Sequence, residues 1–447
     1  MKFFFLVLFF YSCDFSDDND TEDTEVENEK HYEIDSDGQI ISTEFSYHDF
    51  NSAHDCMECH EQHFNEWSKS MHAHALDDDF FISILNRERE LRPITGENYC
   101  IQCHAPIAYL SDYSLSDINT SNDLINLPAS IIEGVTCTFC HTMTNTSSTV
   151  FTGDNVSAEI DDYHLNPGQG IFYGSIESPD TNSFHNSKYN VIYTQSESCL
   201  PCHDQFIREK DIETTFTEWQ RVPGFGMSGS FPCQECHMPV KDDGHHDHTF
   251  AAIDVDLNNP QNLYNENLAL LETSVIIDFN FIQDSLSLSN GDTLSIPINV
   301  ESLTGHRFPS GTSFTREAWI ELSVYDNDIP IYQSGNILSS SQKLDLLDTN
   351  LLLFTTWLLD ENGDTTFLAG NAHDFINQSL PALGQRFHTY NFIMNDNYDS
   401  LNIEMKMLFR ALKPDVFDDD NMHLIDNVPI YEINSVSKTI FNIVEIY

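Results

Sequence analysis

Basic side chains are scarce in this 447-residue chain: 19 Lys and Arg stand against 72 Asp and Glu, for a formal charge of −53. That deficit excludes a surface built to hold nucleic-acid phosphates and argues against adsorption on an anionic lipid face, because both need clustered Lys and Arg. Cationic partners fit the charge better. The apolar run at the start, Phe3 to Tyr11, falls well short of the roughly 20 residues with which a helix crosses a bilayer. Cysteine is missing from the last 200 residues, which therefore carry neither disulfides nor thiolate chemistry. No spacing of Ser, His and Asp supports a hydrolytic triad or a paired-carboxylate site. The acidic runs Asp77–Asp79 and Asp418–Asp420 lack the glycine rhythm of a calcium loop and read as solvated charge.

What is present begins with MKFFFLVLFFYSC. One positive charge (Lys2), a short apolar run and Ser12-Cys13 make the plan of a bacterial export signal, and predict that Cys13 is lipidated. Residues 1–13 are then a lipoprotein-type signal. The following acidic stretch, residues 14–44, has too little apolar character to form a core and is expected to be a disordered tether. This places the protein outside the cytoplasm, lipid-anchored at the outer membrane on its periplasmic side or at the cell surface.

Apart from Cys13, the cysteines fall into five pairs with two residues between and a histidine directly after: Cys56/Cys59/His60, Cys100/Cys103/His104, Cys137/Cys140/His141, Cys199/Cys202/His203 and Cys233/Cys236/His237. In an exported chain ten cysteines would ordinarily suggest a disulfide framework, but the histidine overturns that. Two thiols at this spacing add to the vinyl groups of one haem, and the adjacent histidine ligates its iron from below. Chance placement of these Cys and His residues yields roughly a hundredth of one such motif. Zinc would call for four-ligand sets and His-x₃₋₅-His spacing, which the chain does not have. Five covalently held c-type haems are expected.

The second axial ligand separates electron transfer from catalysis, since an iron closed by two histidines only passes electrons. The same region offers His48, His54, His63, His72, His74, His164, His185, His245, His246 and His248, more than five irons require. CMECHEQHFNEWSKSMHAHA with Trp67 and Ser70, then GVTCTFCH, then SFHNSKY ahead of SESCLPCH, then CQECHMP followed by HHDHTF, resemble in that order the multihaem cytochrome family that includes the nitrifiers' tetrahaem electron-transfer cytochrome and hydroxylamine oxidoreductase. The likeness covers about residues 50–250. It implies His72 or His74, His185, and His248 or His246 as distal ligands; His54, His63 and His164 remain as further candidates from the histidine supply. TGHRFPSGTSFTREAWIEL is similar to the C-terminal region of several such cytochromes and adds His306, which would reach back from a second domain.

The expected architecture is α+β and multidomain. A mainly helical and irregular haem-packed domain spans residues 45–254, with helices over 63–76 and 78–90. An antiparallel β-sandwich of about seven to nine strands spans 255–447, read from alternating segments such as REAWIELSVYD and LNIEMKMLFRAL separated by Gly, Asn and Asp turns. Electron relay at low potential is the expected work, with other cytochromes or a quinol-oxidising membrane complex as redox partners. The same family contains oxidoreductases acting on nitrogen or sulfur compounds at one open iron, so catalysis stands as the alternative. A sandwich that docks to other proteins is a third.

Overall fold

The computed structural model describes residues 32–35, 39–93, 95–150, 159–208, 210–280, 283–339, 341–418 and 421–442. The export signal, Cys13 and most of the acidic tether lie outside the described residues. Among the described residues no helix is long and apolar enough to cross a membrane. The chain is α+β and multidomain, a helical region that carries the cysteine pairs followed by a β-rich one.

In the first region short helices alternate with loops and two-stranded sheets. The helix beginning at Glu61 stops at Trp67, well before the residue 76 expected from sequence. Ser70 is the reason: its Oγ donates to Trp67 O at 2.7 Å and accepts from Ala73 N at 3.3 Å, and such side-chain bonds turn the backbone out of a helix. The next helix, Asp79–Leu91, starts where Asp78 accepts Phe80 N at 3.0 Å. Part of the stretch read as tether is built into the fold: Tyr32–Ile34 and Ile40–Thr43 pair antiparallel, Tyr32 is buried, and Thr43 Oγ1 donates to Leu110 O at 2.7 Å.

The later region packs an eight-stranded sheet against a three-stranded one. Strand Thr293–Ser302 turns Leu294, Ile296, Ile298 and Val300 inward, and strand Ser400–Arg410 turns in Leu401, Ile403, Met405 and Met407, the two-residue period expected of a strand with one buried face. Strand Glu317–Asp326 is buried on both faces. Ile320, Leu322 and Val324 meet the core, while Trp319 packs the other way against Leu344, Leu353 and Leu408. One detail departs from the antiparallel reading. Asn290-Gly291 makes a turn, with Asp292 N bonded to Ser289 O at 3.0 Å, but the strand before it, Ser285–Leu286, joins the other sheet and pairs parallel to Phe441–Asn442.

Helix Asp79–Leu91 lies at the seam. Phe80 enters the sandwich core, whereas Phe81, Ile82 and Leu85 enter the core of the first region. Glu88 accepts Gly370 N at 3.1 Å, and Arg92 donates to Asn371 Oδ1 at 2.9 Å. A Cβ at Gly370 would meet the Arg92 guanidinium, so the glycine leaves room for that side chain to lie against it.

Candidate haem-binding site

Each cysteine pair lies on or beside a short helix, where positions three and four apart share one face. Cys137–His141 is such a helix, capped by Thr136, whose Oγ1 accepts Phe139 N at 3.2 Å. Thr95–His104, Leu200–His203 and Cys233–His237 are others; at the first motif His60 N bonds Cys56 O at 2.9 Å to make the same turn. Among the described residues none of these ten cysteines is in a disulfide.

The polypeptide covers the thiols unequally, and Cys59 is among the least covered. It lies exposed in the turn between helices His54–Met57 and Glu61–Trp67, outside both, with its N bonded to Cys56 O at 3.2 Å. Cys236 of the fifth motif is exposed as well, while the other eight are half-buried. The reason is position. The first and fifth motifs each turn their leading thiol toward a neighbouring motif, Cys56 to Cys137 and Cys233 to Cys199, and the helical turn carries the second thiol to the outer side.

The histidines are oriented by what their Nδ1 atoms touch. His104 Nδ1 lies 2.7 Å from Ala75 O, His141 Nδ1 2.8 Å from Tyr173 O, and His237 Nδ1 2.9 Å from Ala251 O. A carbonyl only accepts, so each Nδ1 carries the proton and Nε2 keeps its lone pair for a metal. Burial lowers the pKa of all three rings, His237 to about 4, which keeps them neutral at pH 7. His203 differs. Its Nδ1 lies 3.5 Å from the Glu213 carboxylate; desolvation opposes charge on the ring, but the carboxylate outweighs it and holds the ring up at about 9.

A second set of rings faces the first. The centroid of His185 is 6.3 Å from that of His60, His72 is 6.4 Å from His203, His248 is 6.4 Å from His141, and His306 is 6.4 Å from His237. Two imidazoles bound through Nε2 to opposite sides of one metal ion, at roughly 2.0 Å each, hold their centroids about 6.3 Å apart. Three of the facing rings are oriented locally: His248 Nδ1 lies 2.7 Å from His246 O, His306 Nδ1 2.9 Å from Arg307 O, and His185 Nδ1 3.3 Å from Ser187 Oγ. Burial lowers His72 to about 3 and His248 to about 4. His72 is positioned by its backbone: its carbonyl accepts Val135 N at 2.9 Å, and Gly134, at φ +61°, passes so close that a Cβ would lie 2.7 Å from that oxygen.

His104 is the exception among the described residues. Phe81 stacks on its ring at 3.8 Å and 6°, and no second imidazole faces it at that spacing. The remaining candidates lie elsewhere. His74 Nδ1 is 3.0 Å from Asp77 Oδ1, which raises its pKa. His246 Nδ1 is 2.9 Å from Met238 O, and His54 packs on Phe64. His164 pairs with Asn145 in a strand, and its side chain lies outside the described residues.

The motifs adjoin one another. The thiols of Cys56 and Cys137 lie side by side, as do those of Cys199 and Cys233; Cys103 Sγ reaches Pro201 O at 3.8 Å, and Cys140 and Cys202 border the same apolar cluster. The first motif thus neighbours the third, and the fourth neighbours the second, third and fifth. Among the described residues no three or more His, Cys, Asp or Glu side chains gather to hold a bare metal ion. Paired thiols with an adjacent imidazole, neutral and oriented at His104, His141 and His237, fit a c-type haem. Sequence reasoning missed Phe81, Glu213 and the three orienting carbonyls. A carbonyl has no sequence signature, and one glutamate among many acids carries none.

Residues 55–142 match the family of cytochrome c554 and c-prime. No curated protein matches the chain significantly. Among solved structures, the penta-heme cytochrome c552 from Thermochromatium tepidum superposes with a TM-score of 0.62 at 18% identity, covering 88% of this chain and 99% of that one. The likeness is one of fold and spans both regions. The CARDB domain of a Pyrococcus furiosus protein overlaps 38% of this chain and 86% of its own at 10% identity, with a TM-score of 0.16 that carries no argument. With the five Cys-x-x-Cys-His motifs and their geometry, these findings make the chain a multihaem c-type cytochrome.

Proposed function

We propose that the chain is an exported pentahaem cytochrome that relays electrons, anchored by lipid on Cys13 at the outer membrane. The observation that carries the relay is the set of four facing imidazole pairs, His60 with His185, His141 with His248, His203 with His72 and His237 with His306, each at the spacing one shared iron needs. Bound there, c-type haem supplies a one-electron ferric/ferrous couple. The chain's own residues do the rest. The paired thiols would tether the haems, the facing rings would ligate their irons and leave small ligands no place, and the carbonyls of Ala75, Tyr173 and Ala251 hold His104, His141 and His237 in one tautomer. Contact between successive motifs keeps the stations close enough for transfer. The five motifs, and an overall fold like that of a penta-heme protein, support the count of five. The net charge of −53 favours a redox partner with a basic face, another cytochrome or a quinol-oxidising membrane complex. The signal-like start ending in Ser12-Cys13 supports export and the anchor.

A second reading rests on His104. With Phe81 on its face and no imidazole across from it among the described residues, its iron would take a small ligand, and the protein would act on a nitrogen or sulfur compound there. Electron paramagnetic resonance with near-infrared magnetic circular dichroism on the oxidised holoprotein decides between the two. Five low-spin bis-histidine irons leave relay alone; four plus one high-spin iron direct attention to hydroxylamine, nitrite and tetrathionate as substrates. Within that experiment His248→Ala is expected to convert one low-spin iron to high spin, and His246→Ala to convert none. Equal effects of the two variants would defeat the pairing with His141.

A further inference from the structure

The fourth motif differs from the others in what stands behind its histidine. His104, His141 and His237 each give Nδ1–H to a neutral carbonyl, whereas His203 Nδ1 faces Glu213 Oε1 at 3.5 Å. Glu213 closes the hairpin of Gln205–Ile207 and Lys210–Glu213, which follows directly on the Leu200–His203 helix. It is buried, 8% exposed, and neither carboxylate oxygen has a hydrogen-bond partner. Arg316 also borders this neighbourhood, but its Nη2 is 3.0 Å from Asp254 Oδ2, its buried Nε has no hydrogen-bond partner, and the ion pair of Glu213 is with His203. A carboxylate removed from water needs a positive partner, and His203 is the group it faces.

Across from His203 the asymmetry continues. His72 Nδ1 is buried without an acceptor, while His248 and His306 each have a carbonyl. The two rings of the fourth site are thus supported unequally, one by a full negative charge and the other by nothing.

A carboxylate behind a metal-bound imidazole draws the Nδ1 proton toward itself, makes the ring a stronger donor and so favours the higher oxidation state of the metal. The fourth motif also touches the most neighbours, the second, third and fifth. We infer that Glu213 is a positioning residue that acts through His203 to lower the potential of the haem iron at the fourth site, making the junction of the relay the hardest station to reduce. Electrons then rest on the stations around the junction and cross it without accumulating there. The inference rests on the relay reading, and specifically on His203 as an iron ligand.

The test is redox titration of the holoprotein, followed optically and by paramagnetic resonance, for wild type, Glu213→Gln and Glu213→Asp. Glutamine keeps the shape and removes the charge. It is expected to raise one midpoint so that, at the wild-type midpoint of that iron, the reduced-to-oxidised ratio increases about tenfold, or ~59 mV for a one-electron couple. The other midpoints should stay in place, and aspartate should restore most of the wild-type value. Unmoved potentials in a fully haem-loaded Glu213→Gln protein would overturn the inference. A uniform shift of all five would do the same, since it reports general loosening. Peptide mass analysis showing no haem on Cys199 and Cys202 would instead remove the underlying reading.

Discussion

In the sandwich, Ile296, Ile298 and Val300 from one sheet meet Ile320, Leu322, Ile403, Met405 and Met407 from the other in one continuous core. Between Tyr32 and Ala251 the buried side chains fall into separate clusters instead, one around Leu76, Leu85, Ile107 and Phe139, another around Phe64 and Trp67, a third that borrows Phe314 and Leu358 from the sandwich. Thiols border these clusters, Cys100, Cys140 and Cys202 packing against the first and Cys137 against the second. One region buries its own side chains to fold; the other is arranged around flat apolar groups that must be supplied to it. The seam at Glu88, Arg92 and Gly370 joins a part that is complete as polypeptide to one that is not.

The comparison is tested most severely by withholding haem. Made without haem attachment, the chain is expected to lose the helical signal of its first region and to be cut there by protease, while a fragment from about residue 255 onward survives. Equal protease resistance of both regions without haem would end the distinction. A smaller effect separates the regions from the other side. Ile403→Ala, at a fully buried sandwich position, is expected to cost about 2–5 kcal/mol in denaturant unfolding, with the absorption spectrum of the haems unchanged before the transition. A spectrum that changes in step from the start would mean that the sandwich core and the haem sites are one unit.

A third test concerns the helix at the seam. Burial raises the carboxyl of Asp78 to about 7, with Asp254 and Asp256 adding to the rise. The folded state therefore holds this proton more tightly than the unfolded chain, whose aspartates titrate near ~3.9. Stability from this group is fully present below about pH 4 and is lost as pH rises toward 7, at up to about 1.4 kcal/mol per pH unit. Asp78→Asn keeps a capping side chain on Phe80 N and is expected to flatten that slope. An unchanged slope in unfolding measured from pH 4 to 8 would assign the dependence to other groups.

Particular residues show how far sequence reading carried. Cys137, Cys140 and His141 are legible because attachment is a local act: one helical turn brings the three to one face. The exposure of Cys59 and Cys236 was not legible, because it depends on which motifs stand beside the first and the fifth. The alternation in Thr293–Ser302 and Ser400–Arg410 could be read from sequence, since each strand sorts its faces without reference to its neighbours. The helix break after Trp67 was not, because it depends on which backbone groups Ser70 finds. The pairing of Ser285–Leu286 was not legible, because the turn at Asn290-Gly291 specifies a change of direction and says nothing about which sheet receives the neighbouring strand.

What the sequence by itself determined was the chemistry: the Cys-x-x-Cys-His spacing, the acidic charge, and the division between a haem-carrying part and a β-rich one without cysteine. Only the tertiary structure decided which histidines face each other, since His72 and His203 or His237 and His306 are far apart along the chain, and an axial pair is defined by distance in space. It also decided what stands behind each ring. A carbonyl is present at every residue and a glutamate at dozens of positions, so whether His141 meets Tyr173 O or His203 meets Glu213 is settled by packing, where burial sets how strongly each neighbour acts.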